Sequence, residues 1–92
     1  MNSVGAQITI RGRVQGVGYR HFCYTKASAL GLDGWVRNRA DDSVEVYAEG
    51  DRGTIEVLIA ELKVGPRAAS VTDLNIQWTK FTGEQKGFRI TW

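Results

Sequence analysis

The apolar residues of this chain change period along its length, and the order of those changes restricts the folds open to it. Ile8 and Ile10 alternate with Gln7, Thr9 and Arg11, the two-residue period of a half-buried strand. Cys23, Ala27 and Leu30 then fall at i, i+4 and i+7, one face of a helix, with Gly31 where a C-cap belongs. Trp35 to Ala40 reads as a strand and Asp41-Asp42 as a turn. Val44, Val46 and Ala48 alternate with Glu45, Tyr47 and Glu49 as the next strand. Ile55, Leu58, Ile59 and Leu62 fit a second helix, which Gly65-Pro66 stops. Leu74, Ile76 and Trp78 alternate as a further strand. After a turn over Gly83 to Lys86, Phe88, Ile90 and Trp92 alternate in a short last one.

Strand, helix, strand, strand, helix, strand, with one strand extra, is the split β-α-β order of the ferredoxin-like fold. The expectation is an α+β sandwich: an antiparallel sheet of four to five strands with two helices on one face. A length of 92 residues fits a single domain over residues 1–92. Many unrelated functions use this architecture, so function has to come from a site.

Several classes are excluded or disfavoured by composition. A membrane span needs roughly 20 apolar residues in a row, and no such run occurs. The first residues, Met1 to Gln7, lack a basic stretch followed by an apolar one, so no signal peptide is expected. A lone cysteine, Cys23, cannot form an internal disulfide and fits a reducing compartment. A soluble cytoplasmic monomer is the resulting expectation. The net charge of +2 is too small to indicate a nucleic-acid binder, but it is unevenly spread. Residues 1–39 hold six basic residues against Asp33, whereas residues 40–92 hold six against nine acids. Such a basic region can attract a small anion in a nearly neutral molecule, although exposed arginines also serve solubility.

Between the first strand and the first helix, Gly16 and Gly18 sit beside Arg20. Glycines there permit positive φ and close approach of a ligand to the backbone. Successive free N–H groups in such a turn form an anion-binding concavity, and the helix start adds its own. Arg20 can hold two phosphate oxygens at once. The stretch is neither a Walker loop, having no Gly-Lys pair, nor G-x-G-x-x-G, because His21 takes the last glycine position. A plain tight connection with an exposed arginine remains open. Asn38 is the second unusual residue, since asparagine is depleted in strands. Placed on one sheet face with Val36 and Ala40, its rigid amide could position a water, or it could be a solvated strand end.

Val14-Gln15-Gly16-Val17-Gly18-Tyr19-Arg20, Gly31-Leu32-Asp33-Gly34-Trp35-Val36-Arg37-Asn38, Val44-Glu45 and Leu62-Lys63-Val64-Gly65-Pro66 occur in this order and spacing. Together they resemble the acylphosphatase family, over nearly the whole chain from Ile8 to Trp92. The resemblance implies a ferredoxin-like fold and hydrolysis of a carboxyl–phosphate anhydride to carboxylate and phosphate, with no metal or other cofactor. It implies that Gln15, Gly16, Val17, Gly18 and Tyr19 cradle the phosphate, that Arg20 binds it, and that Asn38 orients the attacking water. It also implies that the C-terminal carboxylate lies near the arginine, which puts Trp92 at the border of the site. The turn after the asparagine strand departs from the family's usual Asp-Gly, being Asp41-Asp42 here, which leaves its turn type in question.

The partner so implied is a small acyl phosphate, with no nucleic acid and no membrane. His21 is expected beside the site without a catalytic role, and Cys23 in the core. The rival class is a ferredoxin-like RNA- or ligand-binding module without catalysis. RNA modules of this order stack bases on aromatics of the two central strands; the first strand here has none, and the strand from Ser43 to Glu49 carries two acids. Use of such a domain inside a larger enzyme is a third possibility, against which the stand-alone length counts.

Overall fold

The computed structural model describes residues 2–91. Its elements are β1 (Ser3–Arg13), α1 (Tyr19–Ala29), β2 (Asp33–Asn38), β3 (Val44–Asp51), α2 (Arg52–Val64), β4 (Ser70–Lys80) and β5 (Phe88–Ile90). The sheet order is β4-β1-β3-β2-β5. β1 lies antiparallel between β3 and β4, and β2 is antiparallel to β3. The expected antiparallel sheet holds for these four strands. β5 differs, because it joins the outer edge of β2 in parallel, with Val36 opposite Ile90.

Alternation decides which face of the sheet is covered. Ala6, Ile8 and Ile10 of β1, Val36 of β2, and Val44, Val46 and Ala48 of β3 are fully buried. They meet Tyr19, Cys23 and Ala27 of α1, and Ile55, Leu58, Ile59 and Leu62 of α2. Each Val, Leu or Ile among them contributes about 1.5–3 kcal/mol by leaving water. The helix ends follow their local chemistry. Asp51 caps α2 by accepting from Thr54 N at 3.2 Å. After α1, Gly31 N donates to Ser28 O and Leu32 N to Ala27 O, both at 3.0 Å, the paired bonds of a Schellman motif.

Two expectations shift. β2 begins at Asp33 and ends at Asn38 rather than running from Trp35 to Ala40, because Arg39 to Ser43 forms the hairpin turn, closed by Arg39 N donating to Ser43 O at 2.9 Å. Asn38 shares a face with Val36 as expected, but Ala40 lies past the strand in the turn. In that turn Asp42 itself takes the left-handed conformation, φ 71°, that a glycine would adopt more cheaply.

The outward side of β3 is also less solvated than its alternation suggests. Glu49 is only 1% exposed. Its carboxylate accepts from Tyr47 Oη, from Thr82 N at 2.9 Å, from Thr82 Oγ1 at 2.8 Å and from Gly83 N at 3.1 Å. Burial pushes its pKa up, but those donors outweigh burial and leave it below its ordinary value. A depressed folded-state pKa contributes stability above the unfolded value, about 4.3, that is lost as pH falls through the folded value. Glu49→Gln is therefore expected to destabilise the fold by about 2 kcal/mol at pH 7, by weakening bonds to a charged acceptor. The gap between wild type and variant should narrow toward pH 3, as read by urea unfolding across pH.

Candidate active site

Directly after β1, Val14 is buried against the core, and the chain then turns into α1 within four residues. Gly16 and Gly18 make that turn at φ 73° and 78°. A Cβ placed on either would meet no protein atom within 4 Å. Glycine is needed there for its torsion, and the space beside it is open to a ligand. Any other residue would pay about 1–2 kcal/mol for the left-handed conformation.

Gly18 is the N-cap of α1, with no side-chain cap and no acidic residue in the first turn. The first intrahelical bond is Phe22 N to Gly18 O, 3.0 Å. The N–H groups of Tyr19, Arg20 and His21 precede it and have no helical acceptor. The positive end of the helix dipole is therefore left to whatever lies in front of it.

A cavity of about 250 Å³ lies there, lined by Val14, Gly16, Gly18, Tyr19, Arg20, His21, Asn38 and Ile90. It brings Arg20, at the start of α1, onto the same space as Asn38, at the end of β2. Asn38 Oδ1 is buried and has no hydrogen-bond partner among the described residues. A buried acceptor in that condition costs about 1–3 kcal/mol unless something donates to it.

Tyr19 turns its side chain into the core, where its hydroxyl donates to Leu62 O at 2.7 Å and ties α1 to the last turn of α2. Burial, then the neighbouring Cys23, pushes that phenol above its ordinary range. Only the Tyr19 main chain is thus available for an anion. Gln15 and Val17 do not line the cavity; Gln15 turns instead toward the β2–β3 hairpin. His21 stands exposed on the cavity wall with its ring 6.3 Å from that of Tyr24. Cys23 is buried in the core, where desolvation pushes its thiol up to about 12, so it is neutral at pH 7. Trp92 and its carboxylate lie outside the described residues.

Val14 and Ile90, the apolar walls, join the site only in the structure. Val14 could have been suspected as the apolar residue next to the loop. Ile90 carries no local signal, because it reaches the cavity only through the parallel pairing of β5 with β2.

The basic character of residues 1–39 is less concentrated than the charge count implies. Arg37 pairs with Glu45 at 2.7 Å, and Arg11 with Asp41 at 3.3 Å. Arg39 lies 3.9 Å from Asp41 and 4.0 Å from Glu45. Hydrogen bonds from the Ser43 hydroxyl and amide, with a smaller contribution from Arg11, hold Asp41 down at about 2. These pairs sit on the turn and the uncovered sheet face, away from the helices. Among the described residues no group of three or more His, Cys, Asp or Glu could hold a metal ion, and no helix is long and apolar enough to cross a membrane.

Comparison with known proteins agrees with this geometry. The family model for Acylphosphatase matches residues 6–90. An acylphosphatase of Pelotomaculum thermopropionicum is 42% identical over 90 residues, covering 98% of each chain. One from Syntrophotalea carbinolica is 49% identical with the same coverage. The crystal structure of an acylphosphatase from Bacillus subtilis superposes with a TM-score of 0.94 at 34% identity, over 97% of this chain and 99% of that one. A glycine turn, an uncapped helix start and an arginine facing a strand-end asparagine, in a chain matched at this identity along nearly its full length, establish that it belongs to the acylphosphatase family.

Proposed function

We propose that this chain hydrolyses the carboxyl–phosphate anhydride of small acyl phosphates, releasing carboxylate and inorganic phosphate. The observation that carries the reading is the juxtaposition of Arg20 and the α1 N–H groups with the buried Asn38 Oδ1, which has no partner among the described residues, across one cavity.

The chemistry demands little more. When water attacks phosphorus the bond to the acyl oxygen breaks and a carboxylate leaves, a weak base that departs without protonation, so no general acid is required. The transition state of phosphoryl transfer is loose, with charge on the equatorial oxygens. The main chain of Gly16, Gly18 and Tyr19, with the Arg20 fork, holds those oxygens; Asn38 Oδ1 accepts a hydrogen bond from the water and so aims the water's lone pair at phosphorus. The proton lost by water passes to a phosphate oxygen. Charge compensation by Arg20 and the helix start makes a metal unnecessary in this scheme. Val14 and Ile90 face the acyl end. Because every group named comes from one chain, a monomer suffices, and the unpartnered Cys23 suits the reducing cytoplasm.

The test is phosphate release from acetyl phosphate and benzoyl phosphate by the purified protein, with and without a chelator. Equal, saturable release in both conditions is the expected result. Absence of release, with tight binding of single-stranded RNA, would replace the enzymatic reading by that of a binding module.

A further inference from the structure

We propose that Gln15 is a positioning residue: its carboxamide locks the glycine turn to the β2–β3 hairpin and thereby holds Asn38 in register with the phosphate-binding groups. The inference rests on the hydrolase reading above.

The two halves of the cavity come from separate parts of the chain, and at this end of the sheet β1 is tied to the β2–β3 hairpin by the exposed Arg11–Asp41 pair at 3.3 Å and by Gln15. The β1–β3 ladder ends at the pair Ile10 and Val44. Beyond it the register of β1 shifts at Arg11/Gly12, and β1 continues to Arg13 against β4. The turn at Gly16 and Gly18 therefore leaves β3 behind. Asn38, whose ladder partner is Val44, stays with β3.

Gln15 spans this gap. Its Nε2 donates to Arg39 O at 2.8 Å and to Ser43 O at 2.9 Å, using both hydrogens of the amide. Both acceptors are main-chain carbonyls, so the atom facing them has to be the nitrogen. Those two carbonyls bracket the hairpin turn, and Arg39 follows Asn38 directly. At the other end of the contact, Gln15 precedes Gly16. One side chain thus sets the separation between the group that aims water and the groups that hold phosphorus. Displacement by about 1 Å at such a site costs on the order of 100-fold in rate.

Gln15→Met keeps the length and removes the donors. Gln15→Glu sets a carboxylate against two carbonyl oxygens. Each is to be made alone and with Asn38→Ala, reading kcat on acetyl phosphate, competitive inhibition by inorganic phosphate, and the thermal midpoint. The expected kcat loss for either single variant is on the order of 10- to 100-fold. Phosphate inhibition should stay within about twofold of wild type, and in the Asn38→Ala background the Gln15 changes should remove no more than about twofold further, because coupled groups are non-additive. If the losses multiply, or if phosphate inhibition weakens in step with kcat, Gln15 does not act through Asn38 and the assignment falls. Should Gln15→Glu fail to fold, Gln15→Met decides by the same criteria. A wild type inactive on every acyl phosphate would remove the hydrolase reading itself, whereas an active wild type with multiplying losses would remove only the role of Gln15.

Discussion

Replacing Arg20 by alanine is expected to eliminate turnover, with a fall in kcat/KM on the order of 10³-fold or more, and to abolish competitive inhibition by inorganic phosphate. Arg20 is half-buried on the cavity wall at the first turn of α1, where the helix dipole and uncapped N–H groups also converge. Those main-chain donors survive the substitution, but they carry partial charges. The guanidinium carries a full charge and a fork whose spacing fits two phosphoryl oxygens. Arg20→Lys keeps the charge and loses the fork, so it should recover only part of the phosphate binding. Steady-state kinetics with a phosphate inhibition series measures both. Normal phosphate inhibition in a folded Arg20→Ala protein would place the anion elsewhere.

At Asn38 the expected pattern is opposite in binding and similar in rate. Asn38→Ala should lower kcat by about 10²–10³, the typical cost of losing one oriented group at such a site, while phosphate inhibits as it does in wild type. The structure adds a stability expectation. Asn38 Oδ1 is a buried acceptor without a partner among the described residues; deleting it removes a desolvation cost of about 1–3 kcal/mol along with the amide's packing. The alanine variant should therefore unfold at least as high in temperature as wild type. Loss of rate without loss of stability is the mark of a residue kept for chemistry. A fully active Asn38→Ala protein, or one whose loss of rate tracks a loss of folded protein, would end the water-orienting role.

The contrast between Asn38 and Glu49 shows where reading the chain succeeds and where it stops. Both are polar residues in strands whose alternation is apolar. Asn38 stands out because an amide in a strand conflicts with local preference, and that conflict marks the cavity. Glu49 raised no such conflict, since an acid on the outward side of an alternating strand looks solvated. Its burial comes from Thr82 and Gly83, more than thirty positions along the chain, folding back over it. Gln15 shows the same limit from the other side. Its place beside two glycines suggests a direct grip on phosphate, but its side chain turns to Arg39 and Ser43.

The succession of strands and helices, the cap at Gly31, the stop at Gly65-Pro66, the left-handed turn at Gly16 and Gly18, and the placing of Arg20 at a helix start could all be read from the chain. Each depends on residues within a turn or two of one another, where periodicity and torsional preference act directly. The parallel docking of β5 that brings Ile90 to the cavity, the lock between Gln15 and the hairpin, the neutralising of Arg11 and Arg37, and the closing of the 81–87 segment over Glu49 were decided only in three dimensions. They join residues remote in sequence, and their partners become adjacent only after the sheet order has been chosen. That choice is made by burying one face of the whole sheet, a sum over many side chains that no local stretch contains.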